Sequence, residues 1–204
     1  MVGGQAESGL CERLGDVSNV FLLAPTFSPG VDEQCHELLE CGEAILYVVT
    51  GNGLDEYYDE WVGTDGPSRV GVISLGGPTR SASPADPRSD ADDGVAVEHR
   101  SVESPGNLTK IGVELNDMLS TWTDEGVRTT VCFESLTPLI QYSDVEKVYK
   151  FLHVFSNQVE AVNARAHYHL DPDAHDGSDV NLLMTTFDAV VEVDADGDVS
   201  VRTR

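Results

Sequence analysis

Residues 20–24 read Val20-Phe21-Leu22-Leu23-Ala24, an unbroken apolar run of strand length. A strand with one wet face alternates apolar with polar side chains, so a run that is apolar throughout belongs to a strand covered on both faces. Residues 44–49 repeat the pattern, and further strand-like segments follow at 70–75, 95–102, 129–133, 164–170 and 189–193. Segments of helical period stand between most of them. Residues 32–41 place Cys35, Leu38 and Leu39 on one face, with Gly42 as the expected C-cap. Residues 54–62 carry Tyr57, Tyr58 and Trp61 after the break at Gly51-Asn52-Gly53. Residues 108–122 align Leu108, Ile111, Leu115, Met118 and Leu119, residues 144–161 align Val148, Phe151, Leu152 and Phe155, and residues 178–184 form a shorter helix. Strands alternating with helices require right-handed crossovers and a mostly parallel sheet between helical layers.

A chain of 204 residues suits one domain with a core that needs no disulfide or metal staple. We expect a polar leader over 1–19 and the domain over 20–204. Residues 78–94, rich in Pro, Ser and Asp without apolar period, read as a disordered insertion. The last strand is expected to turn at Asp196-Gly197 into a C-terminal β-hairpin. That turn explains Asp194, Asp196 and Asp198 better than a calcium loop, because the later bidentate glutamate is missing.

Charge narrows the partners. Asp and Glu number 36 against 12 Lys and Arg, a formal charge of -24. Such self-repulsion opposes compaction in dilute buffer, but at about 1 M salt the screening length falls to about 3 Å and the penalty largely vanishes. The composition therefore reads as adaptation to a molar-salt cytoplasm. A hydrophobic content of 40% separates it from acidic disordered chains. No basic cluster is present to neutralise phosphates, so direct nucleic-acid binding is not expected. No apolar run is long enough for a membrane span or a secretory signal. The four cysteines form no CxxC pair and read as helix or strand interior, which suits a reducing cytoplasm.

Taken in order, residues 45–61 (ILYVVTGNGLDEYYDEW), 102–119 (VESPGNLTKIGVELNDML), 128–151 (RTTVCFESLTPLIQYSDVEKVYKF) and 167–193 resemble the RecA superfamily, in its KaiC/RadA-like branch. The Glu-Ser-Leu-Thr and His-Tyr-His-Leu-Asp-Pro phrases are similar to those of haloarchaeal proteins. The resemblance implies a three-layer RecA-like α/β fold and an ancestral site for Mg-ATP. It also implies that oligomers, often rings, are common among relatives.

The departures from that family are chemical. Active relatives place GxxxxGK[ST] between the first strand and helix, where amide N–H groups and a lysine hold the phosphates. Here residues 24–33 contain no lysine and a single glycine, and Pro25 and Pro29 lack N–H donors. Asp32 and Glu33 open the helix, where each carboxylate repels a phosphate charge by about 4 kcal/mol at about 4 Å with an effective dielectric of about 20. The catalytic glutamate that ends the second strand in active relatives is replaced by Thr50-Gly51-Asn52-Gly53. Glu134 and Ser135 stand at the Walker B position, where a residual magnesium contact and a buried hydrogen-bonded carboxylate are both open readings. No catalytic residue is assigned.

A second constellation is His167-Tyr168-His169-Leu170-Asp171, followed by His175. Strand period puts His167, His169 and Asp171 on one face, with His175 returning over the next loop. With Glu134 nearby, this set can ligate a divalent transition metal at the ligand-binding edge of a parallel sheet. The alternative has the two histidines hydrogen-bonded across the sheet edge and Asp171-Pro172 ending the strand.

The expectation is therefore a non-hydrolysing regulatory or protein-interaction module without a resident cofactor, with a metal protein or an unorthodox Mg-ATP binder as alternatives. The midpoint of thermal unfolding should rise steeply between about 0.1 M and about 3 M KCl, followed by circular dichroism. A flat profile would contradict the salt-adaptation reading.

Overall fold

The computed structural model describes residues 9–25, 28–51, 66–76 and 95–204. The expected helix at 54–62 and insertion at 78–94 lie outside them. The strands are β1 (Asn19–Leu23), β2 (Ala44–Thr50), β3 (Arg69–Leu75), β4 (Ala96–Val102), β5 (Thr129–Phe133), β6 (Arg165–Leu170), β7 (Ala189–Val193) and β8 (Val199–Thr203). The described helices are α1 (Leu10–Leu14), α2 (Val31–Leu39), α3 (Leu108–Asp124), α4 (Thr137–Tyr142), α5 (Val145–Ala161) and α6 (Gly177–Met184). One sheet contains all eight strands in the order β4-β3-β2-β5-β6-β1-β7-β8. Every pairing is parallel except β7 with β8, which form the closing hairpin. The hairpin turns where the sequence indicated: Gly197 has φ 87°, and the Asp194 carboxylate accepts from the amides of Asp196 and Asp198.

Each strand sends alternate residues to two helical layers. On one face α3, α5 and α6 cover Leu46, Val48, Ile73, Val131, Phe133, Ala166 and Tyr168. The fully buried α3 residues Ile111, Leu115, Met118, Leu119 and Trp122 each contribute roughly 2 kcal/mol of apolar transfer. Gly71 lets α3 approach this closely, since a β-carbon there would lie 2.5 Å from Met118 Cε and 2.8 Å from the Trp122 ring.

The opposite face carries α1 and α2 over two separate apolar clusters. One gathers Leu10, Leu14, Val20, Leu22, Leu38 and Val191, the other Leu39, Ile45, Tyr47, Val70 and Val72. Adjacent leucines of α2 thus enter different clusters, because the helix lies across the strands between them. The chain leaves β1, passes over β6 and β5, and enters the sheet again as β2.

Three local features differ from the sequence reading. The first core element is α1, inside the segment read as a polar leader, with Leu10 and Leu14 buried. Gly42 is no helix cap: Glu40 closes α2, and Gly42 is required because a β-carbon would come within 2.5 Å of Thr130 Oγ1. Cys11 and Cys41, read as reduced, are joined in a disulfide with Cα atoms 6.1 Å apart. The packing of α1 on α2 brings them together, and their 30-residue separation hides this from spacing arguments.

Replacing Cys11 and Cys41 together with serine should lower unfolding stability by about 3–4 kcal/mol, the loop-closure entropy of a crosslink of this span. The shift should appear in the urea midpoint at constant molar KCl; an unchanged midpoint would refute the assignment.

Candidate functional site

The C-terminal edge of a parallel sheet is where open α/β domains bind ligands. At that edge the β1–α2 connection occupies the phosphate-loop position, and its described part is packed shut. Ser28 is buried, its amide donates to the Pro25 carbonyl at 3.0 Å, and its hydroxyl donates to the Asp194 carbonyl in the β7–β8 turn. Pro29 lies against that turn, so that a β-carbon on Gly197 would come within 3.0 Å of the Pro29 oxygen. Gly30 takes the left-handed conformation at φ 85° and caps α2 without a side-chain hydrogen bond. Asp32 and Glu33 fill the first turn of α2. Thr26 and Phe27 lie outside the described residues.

Glu134 follows β5 and is exposed; its Oε2 accepts from the Thr50 amide at 3.4 Å, and its own amide donates to Val48 at 3.1 Å. Ser135 Oγ accepts from the Thr137 amide at 3.2 Å, at the start of α4. These contacts join the ends of β2 and β5 and begin the next helix.

The histidines of β6 point toward α2. His167 is fully buried and His169 half-buried, on the face opposite Tyr168 and Leu170. Cys132 of β5 is the register partner of His167, and Cys35 comes down from α2. Cys35 Sγ lies 3.4 Å from His167 Nε2 and 4.0 Å from Cys132 Sγ, and Cys132 Sγ lies 3.8 Å from His169 Nε2. The two imidazole centroids are 5.2 Å apart. Among the described residues, these four form the one group of His, Cys, Asp and Glu side chains able to share a metal ion.

Asp171 and His175 go elsewhere. The Asp171 carboxylate accepts from the Asp173 amide at 2.9 Å and begins a short 3-10 turn, while His175 Nε2 meets the Thr137 hydroxyl at 2.9 Å. Cys35 and Cys132 are the members that sequence reasoning missed. The available signal was phase: Cys132 alternates with Val131 and Phe133 and so faces away from the α3–α5 layer. Only the order of strands adds that this face meets α2.

Electrostatics favour the ligating forms. The Cys132 hydrogen bond and the nearby His169 and His167 hold the Cys35 thiol well below its ordinary value, against burial that acts the other way. Burial pushes His167 down, toward neutral imidazole. A cavity of about 350 Å³ lies elsewhere, at the N-terminal ends of β5 and β6, lined in part by Cys41, Arg128 and Arg165.

This α/β architecture, with its mostly parallel eight-stranded sheet, has likenesses among solved structures. A protein from Pyrococcus horikoshii OT3 matches at a TM-score of 0.59 with 15% identity, covering 94% of this chain and 89% of that one. A prototypical ATPase from the type III secretion system of pathogenic bacteria matches at 0.52 with 10% identity, covering 91% of this chain but 55% of the ATPase. At these identities the likeness is one of fold. The chain belongs to the family of unknown function DUF7504, whose model matches residues 17–193. No curated protein matches it. Among the described residues no helix is long and apolar enough to cross a membrane.

Proposed function

We propose that this domain is a RecA-like module of the KaiC/RadA-like branch that does not hydrolyse nucleotide and works through contacts with protein partners, in haloarchaeal signalling. The observation that carries this reading is the clasp between Ser28-Pro29-Gly30 and the turn at residues 194–197. A phosphate cradle needs several amide N–H groups turned toward an open space. Here the Ser28 amide is already used by Pro25, Pro29 has none, and the Ser28 hydroxyl is used by Asp194. A triphosphate would have to break the clasp and approach Asp32 and Glu33 without a lysine to offset them. At the ends of β2 and β5, Thr50 stands where active relatives end the second strand in a glutamate, and its amide donates to the Glu134 carboxylate at 3.4 Å. A retained fold without those groups suits recognition.

Calorimetric titration with Mg-ATP in molar KCl should give no saturable heat up to about 1 mM ligand, corresponding to binding weaker than about -4 kcal/mol. Saturable heat, with or without turnover, would replace this reading with that of a nucleotide binder lacking a standard loop.

A further inference from the structure

We propose that Cys35, Cys132, His167 and His169 bind one zinc ion in a closed four-ligand site that fastens α2 to β5 and β6. The site is independent of whether nucleotide binds at the sheet edge. A tetrahedral zinc ion with two sulfurs at about 2.3 Å and two nitrogens at about 2.0–2.1 Å has edges of about 3.8 Å between sulfurs and about 3.6 Å from sulfur to nitrogen. The sulfurs stand 4.0 Å apart, and two of the four sulfur–nitrogen edges, Cys35 to His167 and Cys132 to His169, are 3.4 and 3.8 Å. All four ligand atoms fall within 4.8 Å of one another. The ligands come from three elements, with Cys35 and His167 132 residues apart in sequence, so only the fold brings them to this spacing.

Hydrogen bonding does not account for the cluster. His167 is wholly buried and its Nε2 faces a thiol. Thiols are weak donors and acceptors, so a buried imidazole facing a thiol is poorly compensated for its lost hydration. A cation shared by two thiolates and two imidazoles compensates all four groups together. Two sulfur and two nitrogen donors select zinc over magnesium or calcium, which take oxygen. The donor set fills a tetrahedron and leaves no position for a reacting water, so the role is structural.

The surroundings agree with that role. His167 and His169 of β6 stand outside both apolar clusters under α2, while Cys132 and Cys35 belong to the cluster that also holds Leu39 and Ile45. A zinc ion there would bind the helix to the sheet where apolar packing is interrupted. It would also fix the direction in which α2 presents its N-terminus.

The full chain, purified without chelators in molar KCl, should contain one zinc per chain by plasma mass spectrometry. Exchange with cobalt(II) should produce the sulfur-to-cobalt charge-transfer and intense visible bands of a tetrahedral thiolate site. Cys132→Ser and His169→Gln should reduce zinc content to near zero, whereas Asp171→Asn and His175→Gln should leave it unchanged. Because a ligand variant can also misfold, the wild-type protein is stripped with a chelator and titrated with zinc alone. One equivalent should restore the cobalt-competent site and raise the thermal midpoint. Folded wild-type protein that takes up no zinc after reduction would overturn the proposal. So would zinc retained by Cys132→Ser and His169→Gln, or a native Cys35–Cys132 disulfide whose reduction yields no zinc uptake.

Discussion

The geometry of this domain depends on the passage of α2 over two strands. β5 and β6 are inserted between β1 and β2, so the first crossover cannot lie beside its own strand and must bridge the gap. Leu38 and Leu39 therefore fill separate clusters, and the middle of the helix rests on whatever β5 and β6 present. What they present is Cys132, His167 and His169 rather than aliphatic side chains. Had β2 paired directly with β1, Cys35 would meet another part of the sheet. Topology, more than any local motif, assembles the site.

The same helix shapes the C-terminal edge of the sheet. A helix N-terminus attracts anions through its unpaired amides and its dipole, and this chain satisfies that attraction internally with Asp32 and Glu33. Ser28 and Pro29 before it close onto the β7–β8 turn, itself rich in aspartate. The described part of this edge is packed and negatively charged. Much of the charge on Arg100 is already shared, since it pairs with Glu98, Glu114 and Asp117 at 2.7 to 2.8 Å. With 36 acidic residues against 12 basic ones, an incoming anion finds few groups able to receive it.

The parts of this structure governed by local period were legible in the sequence. Buried strands announce themselves as unbroken apolar runs, as at 20–24 and 44–49, and helices such as α3 by the spacing of Ile111, Leu115 and Met118. The hairpin was legible because Asp196-Gly197 carries its own turn chemistry. Strand order was not, since nothing local to β1 shows that β6 and β7 are its neighbours. The misgrouping of the histidines' partners descends from that gap. His167 and His169 could be placed on one face by period, but Asp171 and His175 were grouped with them by proximity in sequence. The actual companions come from α2 and β5. Cys11 and Cys41 were likewise read from their neighbours in the chain, while the pairing is made by the docking of α1 on α2.

The two helical layers are unequal, and the crosslinking chemistry falls on the thinner one. α3 and α5 have 17 residues each, whereas α1 and α2 have 5 and 9 among the described elements. A short helix buries little apolar area, so its hold on the sheet by packing alone is weak. The disulfide at Cys41 and the cluster at Cys35 are six positions apart, about 9 Å along a helical path, so the disulfide holds α2 just beyond its end and the proposed zinc would hold it at its middle. A disulfide acts mainly by restricting the unfolded chain and a bound metal by stabilising the folded one; neither depends on screening by salt as the acidic surface does. In a chain whose self-repulsion grows as salt falls, links of this kind keep the layer beside the old nucleotide edge in register when packing alone would let it loosen.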